Sequence, residues 1–127
     1  MSKPKTYRHK NLKDSFLSSL SGLTYTIKTE RNARRILAIG VLTLWLAWRL
    51  GLSTTECAIV ILCVSLVFVC ETFNTLVEDI IDLFRKKYDP RIKLLKDVSS
   101  AAVLISSLAS LVVGLLIFLP KLIALFK

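Results

Sequence analysis

This sequence predicts an all-α membrane protein, with three transmembrane helices behind an N-terminal amphipathic surface helix. Three observations predict it. Hydrophobic residues make up 54% of the 127 positions, a membrane composition rather than a soluble one. Long apolar runs recur, and the one from Ala58 to Cys70 carries no charge. The basic residues stand in two blocks beside those runs, where the positive-inside rule puts them. The first block includes Lys3, Lys5, Arg8, Lys10, Lys13, Lys28, Arg31, Arg34 and Arg35; the second runs from Arg85 to Lys96. A net charge of +9 is thereby explained without nucleic acid, and both blocks belong on the cytoplasmic side, where anionic headgroups attract them.

Residues 1–10 form a basic, flexible arm, and residues 11–127 a single membrane-embedded domain. In residues 11–29, Leu12, Phe16, Leu20, Leu23 and Ile27 follow a helical period, and Asn11 is placed to cap them. The segment is too polar to span, so it lies in the inner interface or packs on the bundle. Span one covers about 33–50. Trp45, Trp48 and Arg49 mark its far end as interfacial anchors. Gly51 to Thr55 is a tight external turn. Span two covers about 56–84 and is longer than a hydrocarbon core of about 30 Å, so its last turns reach the cytoplasm.

Arg85 to Lys96 reads as a cytoplasmic loop with a turn at Asp89-Pro90. Span three covers about 97–119 and stops before Pro120. Along it, Ala102, Ser106, Ser110 and Gly114 repeat every fourth residue, a pattern that lets helices approach closely. With the N-terminus inside, three spans leave the C-terminus outside. Cys57, Cys63 and Cys70 share one apolar helix without metal-ligand spacing, so they read as packing residues.

The polar chemistry gathers at the end of span two. Glu71, Asn74, Glu78 and Asp82 are spaced three, four and four apart and project from one side of a helix. A solvated face past the membrane end is the plain reading, and it suits Asp82 best. Glu71 lies about 20 Å before Arg85, inside the inner leaflet, where acids are costly and mark function. Two carboxylates so placed can divide labour. Glu71, the deeper and drier, suits a general base, and Glu78, nearer water, suits a hard cation such as Mg²⁺. Asn74 can orient either, and Lys96 can neutralise phosphate. The phosphate-binding Gly-x-x-x-x-Gly-Lys-Ser/Thr run of soluble enzymes is absent. His9 is the only histidine, which excludes a Ser/His/Asp set. Three thin helices cannot hide this polar stripe from lipid alone, so the chain is expected to oligomerise.

Glu71-Thr-Phe-Asn74-Thr-Leu-Val-Glu78-Asp-Ile-Ile-Asp82, Lys96-Asp97-Val-Ser-Ser100-Ala-Ala-Val and Glu30-Arg-Asn32-Ala-Arg34 together resemble the small prokaryotic diacylglycerol kinase family, in its order and spacing. The resemblance implies a homotrimer that transfers the γ-phosphate of Mg-ATP to a lipid alcohol at the cytoplasmic face of the bacterial plasma membrane, with sites shared between subunits. It implies Glu71 as the base toward the lipid hydroxyl and Glu30 and Glu78 as holders of Mg²⁺ and the ATP phosphates. Asn74 supports them, and Asp82 belongs to the motif. Lys87, Tyr88, Asp89, Lys96 and Asp97 are implied at the nucleotide, and Ser100 beside the lipid.

The Gram-negative diacylglycerol enzymes carry Tyr-Ser-Trp-Lys-Gly where this chain has Ser18 to Gly22. The Glu30-Arg-Asn32 and Phe118-Leu-Pro-Lys121 segments look more like the Gram-positive undecaprenol kinases. Undecaprenol is therefore the expected substrate, with diacylglycerol the alternative. A small proton-coupled transporter and a lipid-binding structural subunit are the readings from other classes. The first would scatter polar residues near the midplane of several spans, and the second would tolerate Glu71→Gln.

Overall fold

A computed structural model describes residues 11–84 and 89–125. Within them the chain is all-α, with helices α1 Leu12–Thr29, α2 Arg31–Arg49, α3 Thr54–Phe84 and α4 Pro90–Ala124. The arm over 1–10, and Lys87 and Tyr88, lie outside the described residues.

A single residue, Glu30, separates α1 from α2, with extended backbone at φ −91° and ψ 120°. The end of α1 is weak helix. Thr24, Thr26 and Thr29 bond back to the carbonyls of Leu20, Gly22 and Tyr25, which competes with helical order. Arg34 then holds the corner. Its guanidinium donates to the Ile27 carbonyl at 3.1 Å and the Lys28 carbonyl at 2.8 Å, satisfying acceptors at the α1 C-terminus. Asn11 has the extended backbone of an N-cap, yet its side chain makes no capping bond; only its carbonyl is used, by Ser15 N–H.

The turn between α2 and α3 is built twice over. Gly51 takes φ +64°, which only glycine adopts without strain. Gly51 N–H donates to Trp48 O and Leu52 N–H to Ala47 O, the two bonds of a Schellman ending. Ser53 and Glu56 then form a capping box at the start of α3. Ser53 N–H donates to Glu56 Oε2 at 2.7 Å, and Glu56 N–H to Ser53 Oγ at 3.3 Å.

Helix α4 departs from the expected bounds of span three at both ends. Asp89 and Pro90 start the helix rather than turning a loop that reaches Lys96. Asp89 accepts from Arg91 N–H at 2.8 Å, and Pro90 occupies the first turn, where its missing N–H costs nothing. Pro120 lies inside α4 rather than beyond it. Phe118, buried with Ala47 and Val60, and Lys121, 3.4 Å from Glu56, hold the last turn in place.

Helices α3 and α4 run antiparallel. Lys121 meets Glu56 at one end, Ser110 Oγ donates to Cys63 O at 3.3 Å midway, and Lys96 meets Asp82 at the other end. On α4, Ser106 is buried and Ser110 and Gly114 half-buried, but Ala102 faces out. The packing line continues through Val103 and Ser99, because a four-residue repeat drifts around a 3.6-residue helix. Gly40 brings α2 close to α3; a Cβ there would stand 2.6 Å from Val64 Cγ1.

Among the described residues only Ala33, Ala47, Val60 and Phe118 are buried apolar side chains. Leu104, Ile105, Leu111 and Leu116 all face outward, and so do Leu12, Phe16 and Leu20 on α1. Helices apolar all round are solvated by lipid or by other helices. Two described helices, α3 and α4, are long and apolar enough to cross a membrane.

Candidate active site

The stripe on α3 dries out toward the membrane. Asp82 is exposed, Glu78 and Asn74 are half-buried, and Glu71 is only 5% exposed. A carboxylate that deep inside an apolar helix is costly unless it works. Small residues make the room for it. Gly40 touches Val64, and α2 and α3 run in opposite directions with the same rise per residue. Seven residues along each helix from that contact bring Ala33, itself 1% exposed, level with Glu71. Ten bring Glu30 level with Asn74. The helix break at Glu30 thus falls at the height of the α3 stripe.

Helix α4 supplies the facing wall. Lys96 Nζ lies 2.8 Å from Asp82 Oδ1. Ser99 Oγ donates to Asn74 Oδ1 at 2.7 Å, and Asn74 Nδ2 donates to Glu78 Oε1 at 3.3 Å. The structure therefore joins Asn74 to Glu78 and Ser99, and Asp82 to Lys96, along the helix that also carries the buried Glu71. Ser99 was not anticipated by the sequence reading. Its signal was available: it stands three residues after Lys96, on the helix face that turns toward α3.

Other candidates stand apart. Asp97 and Ser100 are exposed on a different face of α4, where Ser100 Oγ donates to Asp97 O at 3.0 Å. Asp89 is exposed, and its carboxylate serves as the α4 cap.

The donors at hand are carboxylate and amide oxygens, which suit a hard cation. Among the described residues no three acidic, histidine or cysteine side chains converge as a metal cage.

The family model for prokaryotic diacylglycerol kinase matches residues 17–118. An undecaprenol kinase of Bacillus subtilis (strain 168) is 36% identical over 108 residues, covering 85% of this chain and 88% of that protein. A diacylglycerol kinase of a Synechocystis strain is 34% identical over 116 residues, covering 91% of this chain and 66% of that protein. The chain belongs to the prokaryotic diacylglycerol kinase family and is an ATP-dependent lipid kinase.

Proposed function

We propose that this chain phosphorylates undecaprenol at the cytoplasmic face of a bacterial plasma membrane, as a homotrimer using Mg-ATP. The observation that carries the reading is Glu71, buried in an apolar helix one turn before the Asn74–Glu78 pair. Glu71 takes the proton of the lipid hydroxyl as that oxygen attacks the γ-phosphorus. The new O–P bond forms as the β–γ bridge breaks, and ADP leaves with the bridging oxygen. Glu30 and Glu78 would hold Mg²⁺, which would supply neutralisation of the phosphate charge. Lys96 steadies the transferred phosphate, and Asp89 and Asp97, with Lys87 and Tyr88, belong to the nucleotide side.

Helix α2 serves as the third span, with arginines at its start and exposed Trp45 and Trp48 at its far end. The outward apolar stripe of α1 fits the interface beside the headgroups. The basic residues at the α1–α2 corner favour the cytoplasmic side for that end. Trimer formation is supported by Asp97 and Ser100. On one chain they face away from Glu71, so a site shared between subunits is what lets them serve nucleotide and lipid. A cleft of about 520 Å³ between α2, α3 and α4, lined by Ile36, Gly40, Val64, Ser107 and Phe118, offers apolar surface to lipid or to a neighbouring subunit.

Undecaprenol is favoured over diacylglycerol by the Glu30-Arg-Asn32 and Phe118-to-Lys121 segments and by the Bacillus subtilis relative. A competition assay tests it. Purified protein in mixed micelles receives labelled ATP, Mg²⁺ and the two lipids, singly and together. Label is expected chiefly on undecaprenol. Label chiefly on diacylglycerol would transfer the reading to phospholipid recycling, and label on neither would end it.

A further inference from the structure

Ser99 is tied to the site through one side chain. Its hydroxyl lies 2.7 Å from Asn74 Oδ1 and 2.9 Å from Lys96 O. One proton serves both, and the shorter contact is the stronger. The Lys96 contact is the back-bond any helical serine can make; the bond to Asn74 crosses between helices.

That cross-helix bond decides which way the Asn74 amide faces. An ionised carboxylate only accepts hydrogen bonds, so Asn74 can meet Glu78 only through its NH₂ group. Its oxygen then points away from Glu78 and needs a donor. Ser99 is that donor, as the 2.7 Å and 3.3 Å contacts show. Without the hydroxyl the amide is free to turn, and a turned amide would set oxygen against the Glu78 carboxylate. We infer that Ser99 is a positioning residue: acting through Asn74, it fixes the Glu78 carboxylate for a divalent metal–nucleotide complex. The inference rests on the metal-holding role proposed above for Glu78.

The test reads metal binding, not turnover. Full-length protein in detergent micelles is given a non-transferable ATP analogue, and Mn²⁺ binding is followed by electron paramagnetic resonance. Ser99→Ala should weaken Mn²⁺ binding about tenfold, the lower end of what outer-shell partners of metal ligands contribute. Ser99→Thr keeps the hydroxyl and should bind as wild type does. In an Asn74→Ala background, Ser99→Ala should change nothing further, because its route to Glu78 is already cut.

Undiminished Mn²⁺ binding by Ser99→Ala would overturn the inference. So would an equal loss with and without Asn74. Size-exclusion chromatography confirms assembly; if Ser99→Ala fails to assemble, Ser99→Cys, similar in size but a weak donor, is held to the same outcomes. Wild-type protein that binds Mn²⁺ with nucleotide but phosphorylates neither lipid would end the substrate reading alone. Wild-type protein that binds no Mn²⁺ with nucleotide would end the role of Glu78 and this inference together.

Discussion

At one end of the α3–α4 pair Lys121 lies 3.4 Å from Glu56; at the other, Lys96 lies 2.8 Å from Asp82. The contacts are alike and their surroundings are not. Around Glu56 the polar groups are committed to structure. Its carboxylate closes the capping box with Ser53, and Ala47, Val60 and Phe118 pack nearby with Leu52 and Cys57. Around Asp82 polar groups are in surplus. Glu71, Asn74 and Glu78 line α3, Ser99 and Lys96 reach that stripe from α4, and Glu71 is buried. One end is a latch and, on the function proposed above, the other is a site. On the function proposed above, Lys96 is a cation held ready for phosphate.

This contrast can be broken most sharply at Glu71. Glu71→Gln keeps the shape and removes the base, so lipid phosphorylation should fall about 10²- to 10⁴-fold while size-exclusion chromatography shows the same assembly. Loss of assembly would make Glu71 a structural residue and erase the distinction between the ends. The two lysines give the next test. Lys96→Gln should raise KM for ATP about tenfold, the cost of one charge-assisted phosphate contact, with KM for lipid unchanged. Lys121→Gln should leave both constants alone. Equal effects from the two substitutions would mean that neither lysine is reserved for substrate.

Smaller effects belong to the latch. Ser53→Ala removes one half of the capping box and should cost about 1 kcal/mol of stability, read by thermal unfolding in detergent, with kcat intact. The least effect is expected between the ends, at Gly40. Gly40→Ala gains about 1 kcal/mol of helix propensity but drives a methyl group into Val64, an overpacking that costs about 1–3 kcal/mol. A modest net loss should follow, and Val64→Ala in the same chain should reverse it. No rescue would mean that α2 and α3 do not depend on that contact.

The sequence alone determined the helical class, the polar stripe from Glu71 to Asp82 and the family. Those rest on local information: periodicity, the cost of acids in apolar runs, and motif spacing. The tight turn at Gly51 was legible for the same reason, since a glycine before a Ser-x-x-Glu box is a local signal. Both ends of α4 were misread from equally local signals. Proline marks a boundary without saying which side is helix, and only the Asp89 cap and the packing of Phe118 decide it.

The tertiary structure decided what periodicity cannot reach, namely which residues meet across helices. Whether Lys96 serves Asp82, whether Ser99 rather than Ser100 faces Asn74, and whether Glu30 stands at the height of the stripe all depend on the register between antiparallel helices. That register is set by the close approach at Gly40 and by the contacts between α3 and α4. One residue along a helix turns a side chain by about 100°, so Ser99 and Ser100, adjacent in sequence, face different surroundings.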